Sequence, residues 1–97
     1  MKAVFIVFNQ ANTERIEYLL DELKINGFTF FEQVQGRGTN GGEPRRGTHV
    51  WPEMNSAVIT VVDDDAVDNL LRTVRKLDRR NLDVGVRAFV WNIEQTI

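Results

Sequence analysis

The chain has 97 residues, of which 42% are apolar and 27% charged, as expected for one globular domain with a modest core. Its 12 lysine and arginine residues nearly balance 14 aspartate and glutamate residues, so the charge gives no reason to expect nucleic-acid binding or attraction to a membrane surface. The sequence contains no cysteine, which excludes disulfides, thiolate metal sites and a cysteine nucleophile.

The first apolar run covers residues 3–8 and consists largely of β-branched and aromatic residues. This pattern predicts a strand buried on both faces. The run is too short for the apolar part of a signal peptide and far too short to cross a bilayer. We therefore expect a cytoplasmic protein with no direct membrane insertion.

A first helix is predicted after this strand. Asn12 is placed as its N-cap, and Glu14 and Glu17 suit the positive end of the helix dipole. Gly27 is the expected stop. Helical spacing places four residues on one apolar stripe: Ile16, Leu19, Leu20 and Leu23.

A second strand is predicted over residues 28–35, with a break in alternation at Phe30 and Phe31 that suggests a bulge. A long loop then runs from about 36 to 56, and loops of this length are usually functional or disordered. It is rich in glycine and arginine, with Gly36, Gly38, Gly41, Gly42 and Gly47 interleaved with Arg37, Arg45 and Arg46. This composition suits either a plain solvated loop or an anion site built from guanidinium and backbone N–H groups.

The second half repeats the order of the first. A strand is predicted over 57–62, and Asp63, Asp64 and Asp65 then cap a second helix. A polar turn over 78–85 and a last strand over 86–93 complete the chain. The apolar stripe of this helix is Val67, Leu70, Leu71, Val74 and Leu77.

The order βαββαβ predicts an α+β, ferredoxin-like fold for residues 1–97, with a four-stranded antiparallel sheet and two helices on one face. The strands over 3–8 and 57–62 are apolar on both sides, although two helices cover only one face. Leaving the other face in water would expose a large apolar patch. We therefore expect an oligomer in which other copies cover that face.

Few residues suggest catalysis or metal binding. His49, with Glu43 and Glu53 nearby, suits either a zinc or copper site or a plain loop histidine. The three aspartates at 63–65 suit a cation, although their place before a helix favours capping. No nucleophile has a visible partner, so we expect no enzyme.

Glycine and arginine recur where strands meet loops. Gly36 and Arg37 follow the second strand, and Gly85 and Arg87 introduce the fourth. In an oligomer these strand ends can face each other across a subunit boundary and form a crevice for phosphate oxygens. Trp51 suits either stacking on a planar ligand or packing, and Trp91 offers the same alternatives.

Three segments together resemble the signal-transduction proteins of the PII family. Residues 26–38 resemble the second strand and the opening of the T-loop in that family. Residues 57–64 resemble its third strand and acidic turn, and residues 86–90 its fourth strand.

The resemblance implies a homotrimer that binds an adenine nucleotide or another small anionic effector between subunits. It places Thr29 near a base and Gly36, Arg37 and Gly38 around the phosphates. Gly85 and Arg87 then stand where the family has a glycine-rich turn and a phosphate-binding lysine. It also implies that the T-loop docks on a protein partner such as a transporter or regulator. The docking residues are then Arg45, Arg46, His49 and Trp51.

Three departures from the family pattern favour a divergent branch with its own effector. The stretch between Gly27 and Gly36 is one residue longer, and residues 78–85 contain a single glycine. The only tyrosine, Tyr18, lies in the first helix, so a loop tyrosine is not available for uridylylation.

Two other readings of the same fold remain open. One is a trimer resembling the CutA family that responds to divalent metals through His49 with Glu43 or Glu53. The other is a small ferredoxin-like enzyme, such as a heme-degrading or cofactor-free monooxygenase, against which the shortage of acid–base groups argues.

Overall fold

The elements follow the predicted order in the computed structural model, which describes residues 1–36, 54–80 and 85–97, with the backbone alone for 78–80. Short 3₁₀ turns at Gln10–Asn12 and Asp64–Ala66 precede the two helices. The strands and helices are β1 (Lys2–Asn9), α1 (Thr13–Glu22), β2 (Thr29–Val34), β3 (Asn55–Val62), α2 (Val67–Arg80) and β4 (Arg87–Asn92).

The four strands form one sheet in the order β2-β3-β1-β4, and every neighbouring pair is antiparallel. At the centre of the sheet, Phe5 on β1 lies opposite Ile59 on β3 and Phe89 on β4. The first and third strands are therefore central, and β2 and β4 are the two edges. This arrangement confirms the predicted ferredoxin-like α+β fold.

Both helices pack on the same face of the sheet. Alternate residues of the central strands, such as Ile6 and Val58, are fully buried there against Leu20 and Leu70 of the helices. The edge strand β2 contributes Phe30, whose ring meets that of Phe8 edge-to-face with centroids 6.1 Å apart. The expected helical stripes therefore form the core.

The opposite face of the sheet, which we call the open face, is apolar as predicted, and its large side chains outside the central rows remain exposed. Its residues alternate with those of the core, and Phe89 is 56% exposed although it is a large apolar side chain. Exposed aromatic and aliphatic groups on three strands thus share one surface. The large ones are Phe31, Val61, Phe89 and Trp91.

The end of α1 differs from the prediction. The helix ends at Glu22 rather than near Gly27, and Lys24 adopts the left-handed conformation with φ 59°. The N–H of Ile25 donates to the carbonyl of Leu20 at 2.9 Å, and that of Lys24 donates to Asp21 at 3.0 Å. This is a Schellman ending, and it occurs early because Ile25 turns back into the core.

The start of α1 also differs in one detail. Asn12 stands at the predicted N-cap, but its side chain makes no capping hydrogen bond. Asn9 takes that role at the preceding 3₁₀ turn, where its Oδ1 accepts from the N–H of Ala11 at 3.0 Å. The chain therefore begins to coil three residues earlier than predicted.

The second helix is longer than predicted at its C-terminal end. It begins at Val67, after Asp63 and the 3₁₀ turn, so the aspartates lie at its start as expected. It continues to Arg80, whereas the sequence predicted a turn from residue 78. Because lysine and arginine are good helix formers, a polar composition alone does not end a helix.

The predicted irregularity in β2 is present but lies one step later. Phe30 and Phe31 pair regularly with Val58 and Ala57, and the register shifts by one residue before Val34 pairs with Asn55. Gln33, in the left-handed region with φ 57°, lies within this bulge. Since one extra residue is absorbed there, Phe31 and Val34 both lie on the open face.

Candidate functional site

The described candidate residues lie on opposite edges of the sheet. Thr29 and Gly36 belong to the β2 edge, whereas Gly85 and Arg87 belong to the β4 edge. Three strand spacings of roughly 4.8 Å separate these edges, so the two groups are about 14 Å apart within one chain. A single copy therefore does not bring the two halves of the predicted site together.

The β4 half of the site begins at Gly85, which adopts a left-handed backbone conformation. This glycine has φ 59°, a conformation that favours a residue without Cβ. The next residue, Val86, is buried in the core, and Arg87 after it lies on the open face, where its side chain is exposed. Arg87 Nη1 donates to the carbonyl of Val86 at 2.8 Å.

Arg87 lies in a row of residues that crosses the whole open face. Its register partner is Val7, which pairs with Ala57, which in turn pairs with Phe31 on the far edge. The row therefore has a guanidinium at one end and an aromatic ring at the other. Thr29 lies in the next row, where it pairs with Ile59.

The β2 half is defined by a close contact at Gly36. A Cβ on this residue would overlap the side-chain Nδ2 of Asn55, the first residue of β3. Only glycine therefore fits here without displacing the Asn55 carboxamide. Gly27, by contrast, has open space around it.

Buried polar side chains gather at this same end of the sheet. Ser56, at the start of β3, is 2% exposed, and its Oγ lies 3.4 Å from Thr13 Oγ1 at the start of α1. No described buried side-chain nitrogen or oxygen lacks a hydrogen-bond partner. The cluster comprises Asn9, Asn12, Asn55 and Ser56.

The described surface includes a groove on each side of the sheet. One, of about 420 Å³, lies on the open face beside the Arg87 row, and its lining includes Phe5, Val7 and Phe31. The other, of about 800 Å³, lies between the helices, where Glu14, Glu22, Arg15 and Lys76 give no net charge. The groove on the open face is therefore the one next to the predicted anion-binding residues.

Tyr18 lies in the groove between the helices, away from the predicted site. The nearby Glu22 carboxylate, through hydrogen bonding and its negative charge, raises the pKa of Tyr18 above its ordinary value. A tyrosine in this setting stays protonated at neutral pH. It is therefore a neutral polar group on the helical face.

Several predicted residues lie outside the described part of the chain. These are the phosphate-site residues Arg37 and Gly38, the docking residues Arg45, Arg46, His49 and Trp51, and the alternative metal ligands Glu43 and Glu53. Among residues 1–36, 54–80 and 85–97, no group of three or more potential metal ligands is present. None of the helices described is both long and apolar enough to cross a bilayer.

Sequence reasoning missed Asn55, whose side chain lies against Gly36. It assigned the start of the third strand to Ala57, whereas β3 begins two residues earlier with buried Asn55 and Ser56. The sequence did contain a signal for this. Two polar residues directly before an apolar strand are typical of buried, hydrogen-bonded positions where a loop enters a sheet. The contact with Gly36 depends on strand pairing and was not visible in the sequence.

Comparison with known proteins supports the resemblance inferred from the sequence. A family model described as nitrogen regulatory protein P-II matches residues 1–97. None of the curated protein sequences compared with the chain matches it.

Several solved structures share the fold. CPII, a nitrogen regulatory PII-like protein from Thiomonas intermedia K12 bound to ADP, AMP and bicarbonate, has a TM-score of 0.76 and 22% identity, covering 95% of this chain and 84% of that chain. Its apo form has a TM-score of 0.67 and 17% identity, with 95% and 89% covered. A PII-like signaling protein from Thermus thermophilus has a TM-score of 0.69 and 21% identity, with 95% and 84% covered.

Sequence identities this low establish a shared fold but not a shared function. The family model adds the sequence relationship, because it matches the chain from residue 1 to residue 97. The chain belongs to the nitrogen regulatory protein P-II family.

Proposed function

We propose that this chain is a non-catalytic regulatory subunit that binds an adenine nucleotide, or another small anionic effector, in clefts between copies of itself. The observation that carries the proposal is the separation of the candidate residues. Thr29 and Gly36 lie on one edge of the sheet, and Gly85 and Arg87 lie on the other. A second copy that brings its β4 edge to the β2 edge of the first completes the site.

The apolar open face supports assembly. Phe31, Phe89 and Trp91 are each at least 45% exposed on it, and burying apolar area is worth roughly 25 cal/mol per Å². A contact between different edges of identical subunits is heterologous, and such contacts form a ring when the rotation from one subunit to the next closes. We propose a homotrimer, the assembly that the PII resemblance implies, with the open faces directed inward.

The effector class follows from the chemistry at the two edges. The Arg87 guanidinium suits phosphate oxygens, and the close backbone at Gly36 suits N–H donation to the same group. The structure of CPII is bound to ADP, AMP and bicarbonate, so a protein with this fold binds such ligands. We place Thr29 near the base, and Arg37 and Gly38 beside the phosphates.

The second half of the proposal concerns a protein partner in the cytoplasm. P-II proteins are regulatory signalling proteins. We propose that residues 37–53, including Arg45, Arg46, His49 and Trp51, dock on a transporter or regulator in a manner set by the bound effector. The supporting observation is that this segment joins β2 to β3 beside Gly36.

Calorimetric titration of the full chain with ADP, AMP and ATP, each with and without bicarbonate, tests the proposal. Arg87→Ala should weaken binding of the preferred nucleotide about tenfold or more, because it removes a charge-assisted hydrogen bond. Arg72→Ala is the matched control, since it removes the same charge from an exposed position on α2. Binding that Arg87→Ala leaves unchanged would exclude this role.

The assembly is measured in the same samples by light scattering. Three chains of 11.2 kDa should give a mass of about 34 kDa. A stable monomer that still binds the nucleotide would contradict a site shared between copies.

A further inference from the structure

Asn55 occupies a junction between three parts of the chain. Its main chain pairs with Val34 of β2 on one side and with Asn9 of β1 on the other. Its side chain is buried, with 8% exposed, and lies against Gly36. One residue therefore contacts the β2 edge, the central strand and the backbone at residue 36.

The contact with Gly36 fixes a specific distance between two backbones. The Asn55 carboxamide occupies the space that any side chain at residue 36 would need. The bulge around Gln33 has already interrupted regular pairing in β2. The position of Gly36 relative to the sheet therefore depends strongly on the Asn55 side chain.

The same residue is tied to the start of α1. The N–H of Gln10 donates to the carbonyl of Met54, directly before Asn55, at 3.0 Å. Asn9, opposite Asn55, accepts from Ala11 and so shapes the 3₁₀ turn that leads into the helix. Asn55 is thus linked by strand pairing to Asn9, the residue whose side chain closes the 3₁₀ turn that leads into α1.

Buried polar groups specify one arrangement when all their hydrogen bonds are made. A carboxamide is costly to bury without partners, so an asparagine at this position has one favourable orientation. A small apolar side chain would leave the backbone at residue 36 free to move. The polar cluster thus has a positional role beyond packing.

We propose that Asn55 is a positioning residue that holds Gly36 in its effector-binding position and couples it to the start of α1. The proposal rests on the proposed function, because Gly36 is one of the residues assigned to the effector. It predicts that effector affinity depends on a side chain that does not touch the effector.

The test is calorimetry with ADP on the full chain. Asn55→Ala should weaken ADP binding about tenfold, as displaced supporting groups do at other sites. Asn12→Ala is the matched control, because this asparagine is similarly buried but is not the group that meets Gly36. It should alter stability without altering ADP affinity.

A double variant sharpens the test. Gly36→Ala alone should weaken binding, because its Cβ overlaps Asn55 Nδ2. Adding Asn55→Ala removes that overlap, so the double variant should bind ADP more tightly than Gly36→Ala alone. If the losses of ADP affinity from the two single variants simply add in the double variant, the proposal is overturned.

Amide hydrogen exchange separates this inference from the proposed function. Asn55→Ala should speed exchange at Gly36 and Ala11 in the ligand-free protein, and Asn55→Ser serves if the alanine variant does not fold. Unchanged exchange at both amides would overturn the positioning role. A wild-type chain that binds none of ADP, AMP and ATP would overturn the nucleotide role in the proposed function, and exchange then decides the positioning role alone.

Discussion

At the scale of single residues, two residues other than glycine adopt the left-handed backbone conformation that glycine favours. Lys24 closes α1 with φ 59°, and Gln33 has φ 57° within the β2 bulge. The left-handed region costs an L-residue with a Cβ about 1 kcal/mol or more. Both positions therefore contain local strain that substitution can relieve.

Lys24→Gly should raise the free energy of unfolding by about 1 kcal/mol, because glycine adopts the Schellman position without Cβ strain. Lys76→Gly, in the exposed interior of α2, should lower it by about 1 kcal/mol. Urea unfolding of both variants measures the difference. Destabilisation by Lys24→Gly would show that the lysine side chain, and not the backbone, determines stability here.

Residue-level features were predictable where a local rule decides them. The aspartates before α2 and the irregularity in β2 followed from composition and alternation. The stop at Gly27 was wrong, because burial of Ile25 outweighed the preference for glycine at a helix end. The contact between Asn55 and Gly36 was missed, because the two residues meet across a strand pair.

At the scale of elements, the β2 bulge absorbs one residue in the edge strand. The register shift between Phe31 and Val34 accommodates one extra residue in β2. Residues on both sides of the bulge therefore keep their faces. Phe31 and Val34 line the same groove on the open face.

Deleting Gln33 should be tolerated, because Val34 then pairs with Asn55 in a regular register and Gly36 keeps its place. Stability should change by no more than about 1 kcal/mol, and ADP affinity should stay within roughly threefold. Deleting Gln35 is the control, since it moves Gly36 away from Asn55 and should weaken ADP binding about tenfold. Equal losses of ADP affinity from both deletions would show that the bulge itself forms part of the site.

The elements themselves were largely predictable from periodicity. Apolar runs predicted the strands, and helical stripes predicted both helices, because each stripe must face one core. Boundaries were less accurate. Strand β3 gains Asn55 and Ser56 because strand pairing continues beyond the apolar run, and α2 extends into a polar segment.

At the scale of the whole molecule, the fold divides the candidate site between two edges. The antiparallel order β2-β3-β1-β4 places Gly36 and Arg87 on opposite sides of an apolar face. The apolar pattern on both sides of the central strands predicted an uncovered face, and the structure confirms it. The pairing of edges between copies remains a prediction.

Complementation between two defective variants tests this central claim most directly. Gly36→Leu disables the β2 edge, and Arg87→Ala disables the β4 edge, so neither variant should bind ADP well alone. In trimers assembled from an equal mixture, about a quarter of the clefts combine an intact β2 edge from one copy with an intact β4 edge from another. We predict that calorimetry recovers about that fraction of wild-type ADP sites, whereas no recovery in mixed trimers would contradict a site shared between copies.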